Sequence, residues 1–577
     1  MSEIHLPSYL NEVGQVNYYY GTLEYDDKNN SWLVYADHNV TQIVKKLFPG
    51  SKGRGKRKAR FYANKRTIGD LNWLMLRYPL KIKRKDQKRW EKALSEAKEY
   101  ILKREKINAE PVKVAPSTSV FNGELKEYQK EGLGYLLHNR RILLADEMGL
   151  GKTVQALAFL AETTSYPTLI VVPPHLITNW QSEIKRFLKI CDKDGKQQEP
   201  VIEVIKGLKP YKLPDAHIYL IHYLLLRGWK DVLPKMGFET IIFDEIQELR
   251  HSGTEKYSAA SLISDSSKNV IGLSGTPIYN RGGEIWNVMN ILEFHCLCDW
   301  ESFTREWCYG YRSQTVSSPK TLGEYLRREG LLLRRTKDNV LKELPPKRRV
   351  VHEIDSDEKI YKDFMIDTFK KAKNLEHVEN VLEKGRLIRE IVNEERKATG
   401  IAKASYVSSF VKMLLEAEEK VLLFAYHHAV MDIYQKELKD YNPVFVTGRQ
   451  STKEKNKSVS LFNSGKTNIC CLSLRTAAGL NLQRASCVVF GELDWSPAIH
   501  SQAEDRAHRI GQEDSVLCYY LVCSTGSDQN VQDALGIKVS QFAGIMDEKP
   551  ETEEDRILAE SAAKEHMEKI IERLSKT

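Results

Sequence analysis

The sequence predicts an α/β protein: two α/β lobes preceded by a small basic α+β domain. Short apolar runs alternate with amphipathic stretches from about Phe121 onward, and the same texture resumes at Val421 after a charged interval. Runs that are short, rich in branched residues and followed by loops are typical of buried parallel strands with helices on both faces of the sheet. The third observation is charge, because the first fifth of the chain is far more basic than the rest.

The apolar runs locate the strands of each lobe. In the first lobe they begin at Arg141, Leu169, Ile218, Ile241 and Val270, and in the second at Val421, Pro443, Ile469 and Cys487. The interval between the lobes is mostly charged and helical in pattern. We therefore expect a basic N-terminal accessory domain over 1–115, a first, ATP-binding lobe over 116–346, a helical connector over 347–395, a second lobe over 396–545 and a C-terminal helix over 546–577.

Composition excludes several classes of protein. The chain has 577 residues, of which 41% are hydrophobic and 29% charged, so it is neither a disordered tail nor a membrane protein. No apolar run approaches the roughly 18 residues that cross a bilayer. The nine cysteines show no paired spacing for zinc, and an odd number argues against a disulfide framework. We expect a soluble intracellular protein.

The N-terminal domain is predicted to face a polyanion. Net charge is 87 − 78 = +9 for the whole chain, and residues 1–115 hold 24 basic and 13 acidic residues, or +11, which leaves −2 for the rest. The pattern predicts a hairpin from Tyr18 to Tyr35 and a charged helix over Lys81–Lys106. The stretch 45–66 holds ten basic residues and no acidic one. One interpretation is a DNA-binding arm formed by Lys52, Arg54, Lys56, Arg57, Lys58 and Arg60, with Phe48, Phe61 or Tyr62 stacking on unpaired bases. A nuclear address and a solvated loop are the alternatives.

The segment Asp146-Glu147-Met148-Gly149-Leu150-Gly151-Lys152-Thr153 follows an apolar run and precedes a helical pattern. Strand, glycine loop, Lys-Thr and helix are the parts of a phosphate-binding loop. The glycines allow backbone N–H groups to point at phosphate oxygens, the lysine reaches the β- and γ-phosphates, and the threonine hydroxyl binds Mg²⁺. Asp146 stands where the strict pattern has its first glycine.

A second pattern supplies the acids that such a loop needs. Ile241-Ile-Phe ends in Asp244 and Glu245, as a Walker B strand does. We expect Asp244 to hold Mg²⁺ and Glu245 to orient and deprotonate the attacking water. Adjacent acids alone often mark a solvated strand end, but their occurrence after Lys152 favours the catalytic interpretation.

Five further motifs complete the series in order: Leu125–Gln129, Asp244–Gln247, Leu273–Pro277, Leu333–Lys337 and Gln502–Gln512. Together they resemble the motifs of helicase superfamily two in the form found in Swi/Snf double-stranded DNA translocases, over about residues 119–545. Val489–Pro497 resembles the distant branch that includes annealing helicases and many bacterial and viral proteins. The resemblance implies two RecA-like lobes of the P-loop NTPase fold.

The resemblance also implies roles for matched residues. Gln129 would read the adenine edge, and Ser274, Gly275 and Thr276 would couple hydrolysis to DNA contact. Arg506 and Arg509, predicted to lie one helical turn apart, resemble arginine fingers of the second lobe, and Gln502 would contact the nucleotide or the water. A solvated basic helix face is the alternative for the arginines. Loops at strand ends would contact the DNA backbone through Pro173, Asn179, Trp180, Tyr223, Tyr426, His427, Ser473 and Arg475.

Two departures from the family pattern stand out. The segment Ser473–Asn481 is one residue shorter than the usual glycine-rich form, and Gln247 replaces a more common histidine. The length leaves no room for a bromodomain-like or chromodomain-like insertion, which favours a compact prokaryotic, viral or repair-type motor. We expect it in the cytoplasm, at a bacterial nucleoid or in a virus-infected cell, with the nucleus as alternative.

The sequence therefore predicts a monomeric DNA-dependent ATPase that uses ATP and Mg²⁺ to move on double-stranded or branched DNA in replication, repair or recombination, without a membrane partner. A strand-separating RNA or DNA helicase is one alternative, and a remodeller of nucleosomes or other protein–DNA complexes is another. A passive DNA-binding scaffold with an inactive ATP site is disfavoured, because Lys152, Asp244, Glu245, Arg506 and Arg509 are all present.

Overall fold

The structure is a computed structural model, and it describes most of the chain. The described residues are 18–48, 58–109, 112–191, 196–278, 282–309, 314–341, 347–374, 380–474, 480–509 and 514–528, with positions 14, 51, 512 and 531. The predicted C-terminal helix over 546–577 lies outside them.

The N-terminal domain is a four-stranded sheet with three helices. Its elements are β1 (Gly21–Asp26), β2 (Ser31–Ala36), α1 (His38–Leu47), β3 (Lys58–Tyr62), α2 (Lys65–Arg77), β4 (Leu80–Ile82) and α3 (Gln87–Ala109). The strand order is β3-β2-β1-β4, with β4 parallel to β1 and the other pairs antiparallel. The predicted β1–β2 hairpin is confirmed. The charged helix begins at Gln87, later than predicted, because Lys81 lies in β4.

The core of this domain lies on one face of the sheet. Alternate residues of the strands, among them Leu23, Trp32, Val34 and Phe61, pack with apolar residues of the three helices. Phe48 packs edge-to-face against the ring of Phe61, and Phe61 itself is buried. The prediction that these rings stack on unpaired bases is therefore wrong, since both rings pack in or against the core.

The next region forms a seven-stranded sheet with helices on both faces. Its elements are α4 (Glu127–Asn139), β5 (Arg141–Leu144), α5 (Lys152–Thr163), β6 (Thr168–Val172), α6 (Ile177–Phe187), β7 (Ile190–Cys191), β8 (Gln197–Gln198), β9 (Ile202–Val204), β10 (Ile218–His222), α7 (Leu226–Trp229), β11 (Thr240–Asp244), α8 (Glu255–Asp265), β12 (Asn269–Leu273), α9 (Glu284–Leu292), α10 (Trp300–Trp307), α11 (Pro319–Arg328) and β13 (Leu332–Leu333). The order β13-β5-β12-β11-β6-β10-β9 is parallel throughout, so the carboxyl ends of β5, β12 and β11 share one edge.

The last region forms a six-stranded parallel sheet. Its elements are α12 (Lys337–Val340), β14 (Lys347–Glu353), α13 (Glu358–Asn374), α14 (Val381–Glu416), β15 (Val421–Ala425), α15 (His428–Glu437), β16 (Val444–Val446), α16 (Thr452–Asn463), β17 (Ile469–Ser473), β18 (Cys487–Phe490), α17 (Pro497–Glu504) and β19 (Val516–Val522). The strand order is β14-β19-β18-β15-β17-β16. The two parallel sheets confirm the predicted fold class, and each apolar run predicted as a strand is one.

The predicted connector over 347–395 is partly wrong. Its first residues form β14, which pairs along its whole length with β19 and contributes Val350 to the core. Its last residues belong to α14, which continues without a break past the predicted boundary at 395. The second sheet thus draws its edge strand from the segment that sequence assigned to the connector.

Contacts divide the described residues into two compact units. The first holds the N-terminal domain and the seven-stranded sheet, up to Asp146 and again over Gly151–Arg334. The second holds Glu147–Leu150 and the described residues from Arg335 onward. In the described part of the chain, no helix has the length and apolar character needed to cross a bilayer.

Candidate functional site

The glycine loop between β5 and α5 has the backbone of a phosphate-binding loop. Gly149 and Gly151 have φ angles of 88° and 73°, in the region that side-chain-bearing residues rarely adopt. A Cβ on Gly151 would lie 2.5 Å from the Nε2 of Gln129, so this glycine lies directly against the end of that side chain. The structure thus brings Gln129, predicted to read the adenine, against the loop.

Two residues of the loop anchor each other. The Nζ of Lys152, the first residue of α5, donates to the backbone oxygen of Asp146 at 2.7 Å. The buried carboxylate of Asp146 accepts from the Nε2 of Gln155 at 3.1 Å. Asp146 therefore ties the start of the loop to α5, which explains how the loop keeps its shape without the first glycine of the strict pattern.

The acid pair lies at the end of β11, on the sheet edge where the glycine loop also begins. Burial lowers the pKa of Lys152, and the nearby carboxylates of Glu245, Asp146 and Asp244 oppose that shift. These three acids are therefore close enough to the ammonium to act on its charge. The structure brings together the lysine and the two acids that the sequence predicted as catalytic.

Asp244 is held by two aromatic side chains. The indole Nε1 of Trp180 donates to its Oδ2 at 2.7 Å, and the hydroxyl of Tyr223 donates to its backbone oxygen at 2.8 Å. Burial raises the pKa of Asp244 and the neighbouring charge of Glu245 raises it further, while the indole donor and Lys152 oppose the shift. A buried carboxylate of this kind gains from a cation. Its oxygens and the hydroxyl of Thr153 at the start of α5 are the types of ligand that suit Mg²⁺.

A chain of hydrogen bonds leads from Glu245 to the next strand. The Nε2 of Gln247 donates to the carboxylate of Glu245, and the hydroxyl of Ser274 donates to the Oε1 of Gln247 at 2.6 Å. Ser274 follows β12, and its hydroxyl also accepts from the backbone N–H of Thr276 at 3.0 Å. Gln247 thus joins the predicted water activator to the predicted coupling motif.

Arg334 binds the other side of that motif, and no pattern in the sequence predicted this residue individually. Its Nη1 donates to the backbone oxygen of Gly275 at 3.0 Å and to that of Ala145 at 2.6 Å. One guanidinium therefore joins the loop after β12 to the residue that opens the glycine loop. Arg334 lies in the Leu333–Lys337 motif, so a signal for the segment existed but not for this residue.

The predicted arginine fingers belong to the second unit. Arg506 is 1% exposed, which rules out the solvated basic face. The expected helical turn between Arg506 and Arg509 is wrong, because α17 ends at Glu504 and both arginines lie in the turns that follow. Within the same unit, the Nη2 of Arg506 lies 3.8 Å from the Sδ of Met148. Gln502 lies in α17 and is partly exposed.

A buried ionic cluster fixes the segment that carries the arginines. The carboxylate of Glu504 binds Arg349 through 2.7 and 2.8 Å contacts and Lys347 at 3.0 Å, while that of Asp505 binds Lys337 at 2.8 Å. Burial alone would raise the pKa of both acids, but these cations outweigh it and hold both pKa values well below the usual range. Both acids are therefore ionised and paired.

Lys337 occupies the centre of a set of oxygen and nitrogen groups. Glu147, Asp505 and His508 are spaced as metal ligands could be, within the described residues. The ammonium of Lys337 lies 2.8 Å from Asp505 and 3.5 Å from Glu147, and it also donates to the backbone oxygen of His508. A lysine thus supplies the positive charge in this cluster.

Two of the predicted DNA contacts, Trp180 and Tyr223, are wrong, and other predicted residues have partners within the protein. Trp180 and Tyr223 are buried and hold Asp244, so they do not face a ligand. The backbone N–H groups of Tyr426 and His427 donate to Glu492 at 2.7 and 2.8 Å, and the His427 ring also binds that carboxylate. The hydroxyl of Tyr62 donates to Asp299 at 2.7 Å and its ring packs 4.7 Å from that of His295, so this ring has a partner within the protein.

The remaining predicted DNA contacts keep some exposure or lie outside the described residues. Asn179 is exposed in the first turn of α6, whereas Pro173 and Ser473 are partly exposed at the ends of β6 and β17. Lys58 and Arg60 lie in β3 with part of their surface accessible. Lys52, Arg54, Lys56, Arg57 and Arg475 fall outside the described residues.

Comparison with known families agrees with this architecture. Residues 128–398 match the model of the SNF2-related domain, and residues 402–511 match the helicase conserved C-terminal domain. The chain therefore carries an SNF2-related domain followed by a helicase C-terminal domain. The N-terminal domain lies outside both matches.

Similar proteins include three curated relatives. One is the Caenorhabditis elegans homologue of SWI/SNF-related matrix-associated actin-dependent regulator of chromatin subfamily A-like protein 1, 32% identical over 72% of this chain and 62% of the relative. Another is the uncharacterized ATP-dependent helicase MG018 of Mycoplasma genitalium, 28% identical over 70% of this chain and 41% of the relative. The third is the mouse DNA annealing helicase and endonuclease ZRANB3, 28% identical over 75% of this chain and 42% of the relative. The chain thus spans about half the length of these curated relatives.

Proposed function

We propose that this chain hydrolyses ATP when bound to DNA and uses the hydrolysis to move along duplex or branched DNA. The observation that carries the proposal is the meeting of Lys152, Asp244 and Glu245 at one sheet edge, beside a glycine loop of phosphate-binding geometry. That arrangement has the groups that phosphoryl transfer to water requires: a phosphate-binding loop, a positive charge for the phosphates and a general base.

Each group has a task in this proposal. Lys152 and the backbone of Gly149 and Gly151 bind the phosphates. Glu245, oriented by Gln247, holds the attacking water and takes its proton. Asp244 and Thr153 would hold Mg²⁺, which neutralises phosphate charge when bound.

The arginines complete the proposed chemistry. Arg506 and Arg509 would stabilise the negative charge that develops on the γ-phosphate during transfer. The ionic cluster at Glu504 and Asp505 supports this role, because it fixes the backbone immediately before Arg506. The positive charge of the arginine therefore need not be repositioned when the reaction occurs.

DNA is proposed as the partner on two grounds. The curated relatives include one named as a DNA annealing helicase, and the first turn of α6 exposes Asn179 at a strand end near the acid pair. Backbone contact at such ends would make movement insensitive to sequence. The name of this relative is also compatible with a motor that lets two strands re-anneal behind it as it moves. Strand separation is the competing activity.

One set of rate measurements tests the proposal. ATP hydrolysis is measured without nucleic acid and with duplex DNA, single-stranded DNA, forked DNA and RNA at matched nucleotide concentrations. Stimulation by duplex or forked DNA above that by RNA is expected. Stimulation by RNA alone, or strand separation of a blunt duplex at the rate of hydrolysis, would favour the strand-separating helicase instead.

A further inference from the structure

On the sheet face away from its helices, the N-terminal domain keeps one row of side chains at least partly exposed, although Ser31 and Leu33 on the same face are buried. Residues that face the core alternate along the strands with residues that face away from it. In register across the sheet, the outward residues form a row from Lys58 through Tyr35 and Thr22 to Lys81. This row, called here the basic row, crosses all four strands from one sheet edge to the other.

The chemistry of the basic row suits a polyanion. Lys81 is exposed, and Lys58, Tyr35 and Thr22 are partly exposed. Neither lysine forms an ion pair with any residue in the part of the chain that the structure describes, whereas nearby Lys83 binds Glu24 at 2.7 Å. The Nζ of Lys58 lies 5.4 Å from the centre of the Tyr35 ring, so the ammonium of this lysine covers the ring.

The positive charge continues beyond the edge strand. Residues 81–92 hold seven basic residues against the two acids Asp86 and Glu91. Asp86 is buried and accepts a hydrogen bond from the backbone N–H of Tyr25 at 3.0 Å, so this carboxylate stabilises the fold. Arg84, Lys85 and Lys88, which follow β4, are exposed. Arg84 and Lys85 directly follow β4, so the row and this corner meet at the β4 edge of the sheet.

The domain is joined to the seven-stranded-sheet region within the first unit. The hydroxyl of Tyr62 donates to Asp299 at 2.7 Å, and its ring packs 4.7 Å from that of His295. The hydroxyl of Tyr100 donates to the backbone oxygen of Glu329 at 3.1 Å. Burial and the contact with Asp299 both raise the pKa of Tyr62, so this phenol stays a hydrogen-bond donor. The basic surface is therefore carried as part of the first unit.

We propose that the basic row and the corner after β4 bind the phosphate backbone of DNA and hold it to the first unit. The inference deepens the proposed function and rests on it, since it assigns a DNA contact to the domain that lies outside both family matches. The contact is through phosphates, because Lys58 covers the one aromatic ring of the row. It therefore adds affinity without sequence preference.

The test compares the double variant Lys58→Gln/Lys81→Gln with the wild-type chain. Binding of fluorescent duplex, single-stranded and forked DNA is measured by anisotropy at several salt concentrations without nucleotide. Two lost phosphate contacts should reduce the slope of log affinity against log salt by about 2 on duplex DNA. Over a fourfold rise in salt, wild-type affinity should then fall about 10-fold more than that of the variant.

The control is Lys113→Gln, which removes an exposed lysine that lies outside the basic row and the corner after β4 and pairs with Glu127 at 3.1 Å. Its slope should equal that of the wild type. If the double variant unfolds at a lower temperature, Lys81→Gln alone serves, because Lys81 is exposed on an edge strand and should still reduce the slope by about 1.

The outcomes separate the inference from the proposed function. A reduced slope on duplex DNA supports it, and a reduction on single-stranded or forked DNA alone supports it with that form as the ligand. Unchanged slopes on all three, in a wild-type chain whose ATPase is stimulated by DNA, would overturn the inference and leave the motor intact. Absence of any DNA stimulation in the wild type would instead refute the proposed function.

Discussion

Trp180 donates a 2.7 Å hydrogen bond from its indole Nε1 to the Oδ2 of Asp244, from a helix whose first turn exposes Asn179. One short helix therefore carries both a candidate DNA contact and the donor that orients the candidate Mg²⁺ ligand. A displacement of α6 by DNA would be felt at Asp244 through this single bond. The relationship gives DNA stimulation of hydrolysis a physical route.

Replacement of Trp180 by Phe should uncouple these two events. The ring still fills its site, but Asp244 loses a donor worth about 1.5–3 kcal/mol, which corresponds to a decrease of about tenfold or more in DNA-stimulated turnover. The Mg²⁺ concentration that gives half-maximal thermal stabilisation by ADP should also rise. Trp229→Phe is the matched control, because Trp229 is equally buried in the same unit and donates to the backbone of Gly207 at 2.9 Å. Equal Mg²⁺ dependence in both variants would contradict the role of Trp180.

Glu245→Gln should abolish turnover and leave ATP binding intact. An amide cannot accept the proton of the attacking water, and loss of a general base costs about 10²–10⁴-fold in rate. Binding of a fluorescent ATP analogue and single-turnover hydrolysis measure the two steps separately. Glu248→Gln is the control, since Glu248 is three residues away and pairs with Lys256 at 2.7 Å near the surface. Substantial hydrolysis by Glu245→Gln would require another base.

Arg509→Ala should decrease hydrolysis by about 10³-fold. Arg509 is a cleaner target than Arg506, which is almost fully buried, because truncation of a half-buried side chain perturbs packing less. Affinity for ATP should change far less than turnover if the guanidinium acts on the transition state. Arg449→Ala serves as control, because Arg449 is exposed and pairs with Asp432. A loss confined to ATP affinity would show that Arg509 binds the ground state.

Lys337→Met should destabilise the second unit by about 3–5 kcal/mol, because it leaves Asp505 buried and ionised without its closest cation. The double variant Lys337→Met/Asp505→Asn should recover part of that loss, because no unpaired charge remains. Thermal unfolding of the two single variants and the double variant completes a cycle from which the pair's coupling energy follows. Additive effects would show that the two groups act independently.

The sequence was sufficient to predict the two parallel sheets, because their strands are recognisable as short apolar runs. It was sufficient for Lys152, Asp244 and Glu245 because each has a fixed place relative to a strand. Trp180 and Tyr223 were misassigned for a physical reason: an aromatic residue in a loop after a strand can point outward or back toward the neighbouring strand, and only the packing of α6 against β11 decides. Both point back and bind Asp244.

Ionic partners were also beyond sequence reasoning. The strand β14 reads as a charged, solvated segment, yet Lys347 and Arg349 are the cations that neutralise Glu504, more than 150 positions later. Pairing between residues so far apart depends on β14 lying beside β19, and no local pattern specifies that neighbour. The same limit applies to Arg334, whose two acceptors are backbone oxygens and leave no trace in the sequence.

His500 should make stability depend on pH in a defined window. Its ring is buried, and burial lowers its pKa to about 4, with Asp494 and Glu504 opposing the shift. The neutral ring accepts a hydrogen bond from the backbone of Asp494 at 3.1 Å. Because the folded-state pKa lies below the usual 6.5, the unfolded chain binds the proton more readily. Stability is therefore complete above about pH 6.5 and is lost progressively as pH falls toward 4, by about 3 kcal/mol in total.

His500→Gln should remove this dependence, because glutamine keeps an acceptor and does not titrate. The quantity to measure is the difference in unfolding free energy between the wild type and the variant at pH 7.5, 6, 5 and 4. That difference should shift by about 3 kcal/mol in favour of the variant across the series. His428→Gln, at an exposed position at the start of α15, should leave the difference constant. A constant difference for His500→Gln as well would mean that the ring titrates in the folded protein as it does in the unfolded chain.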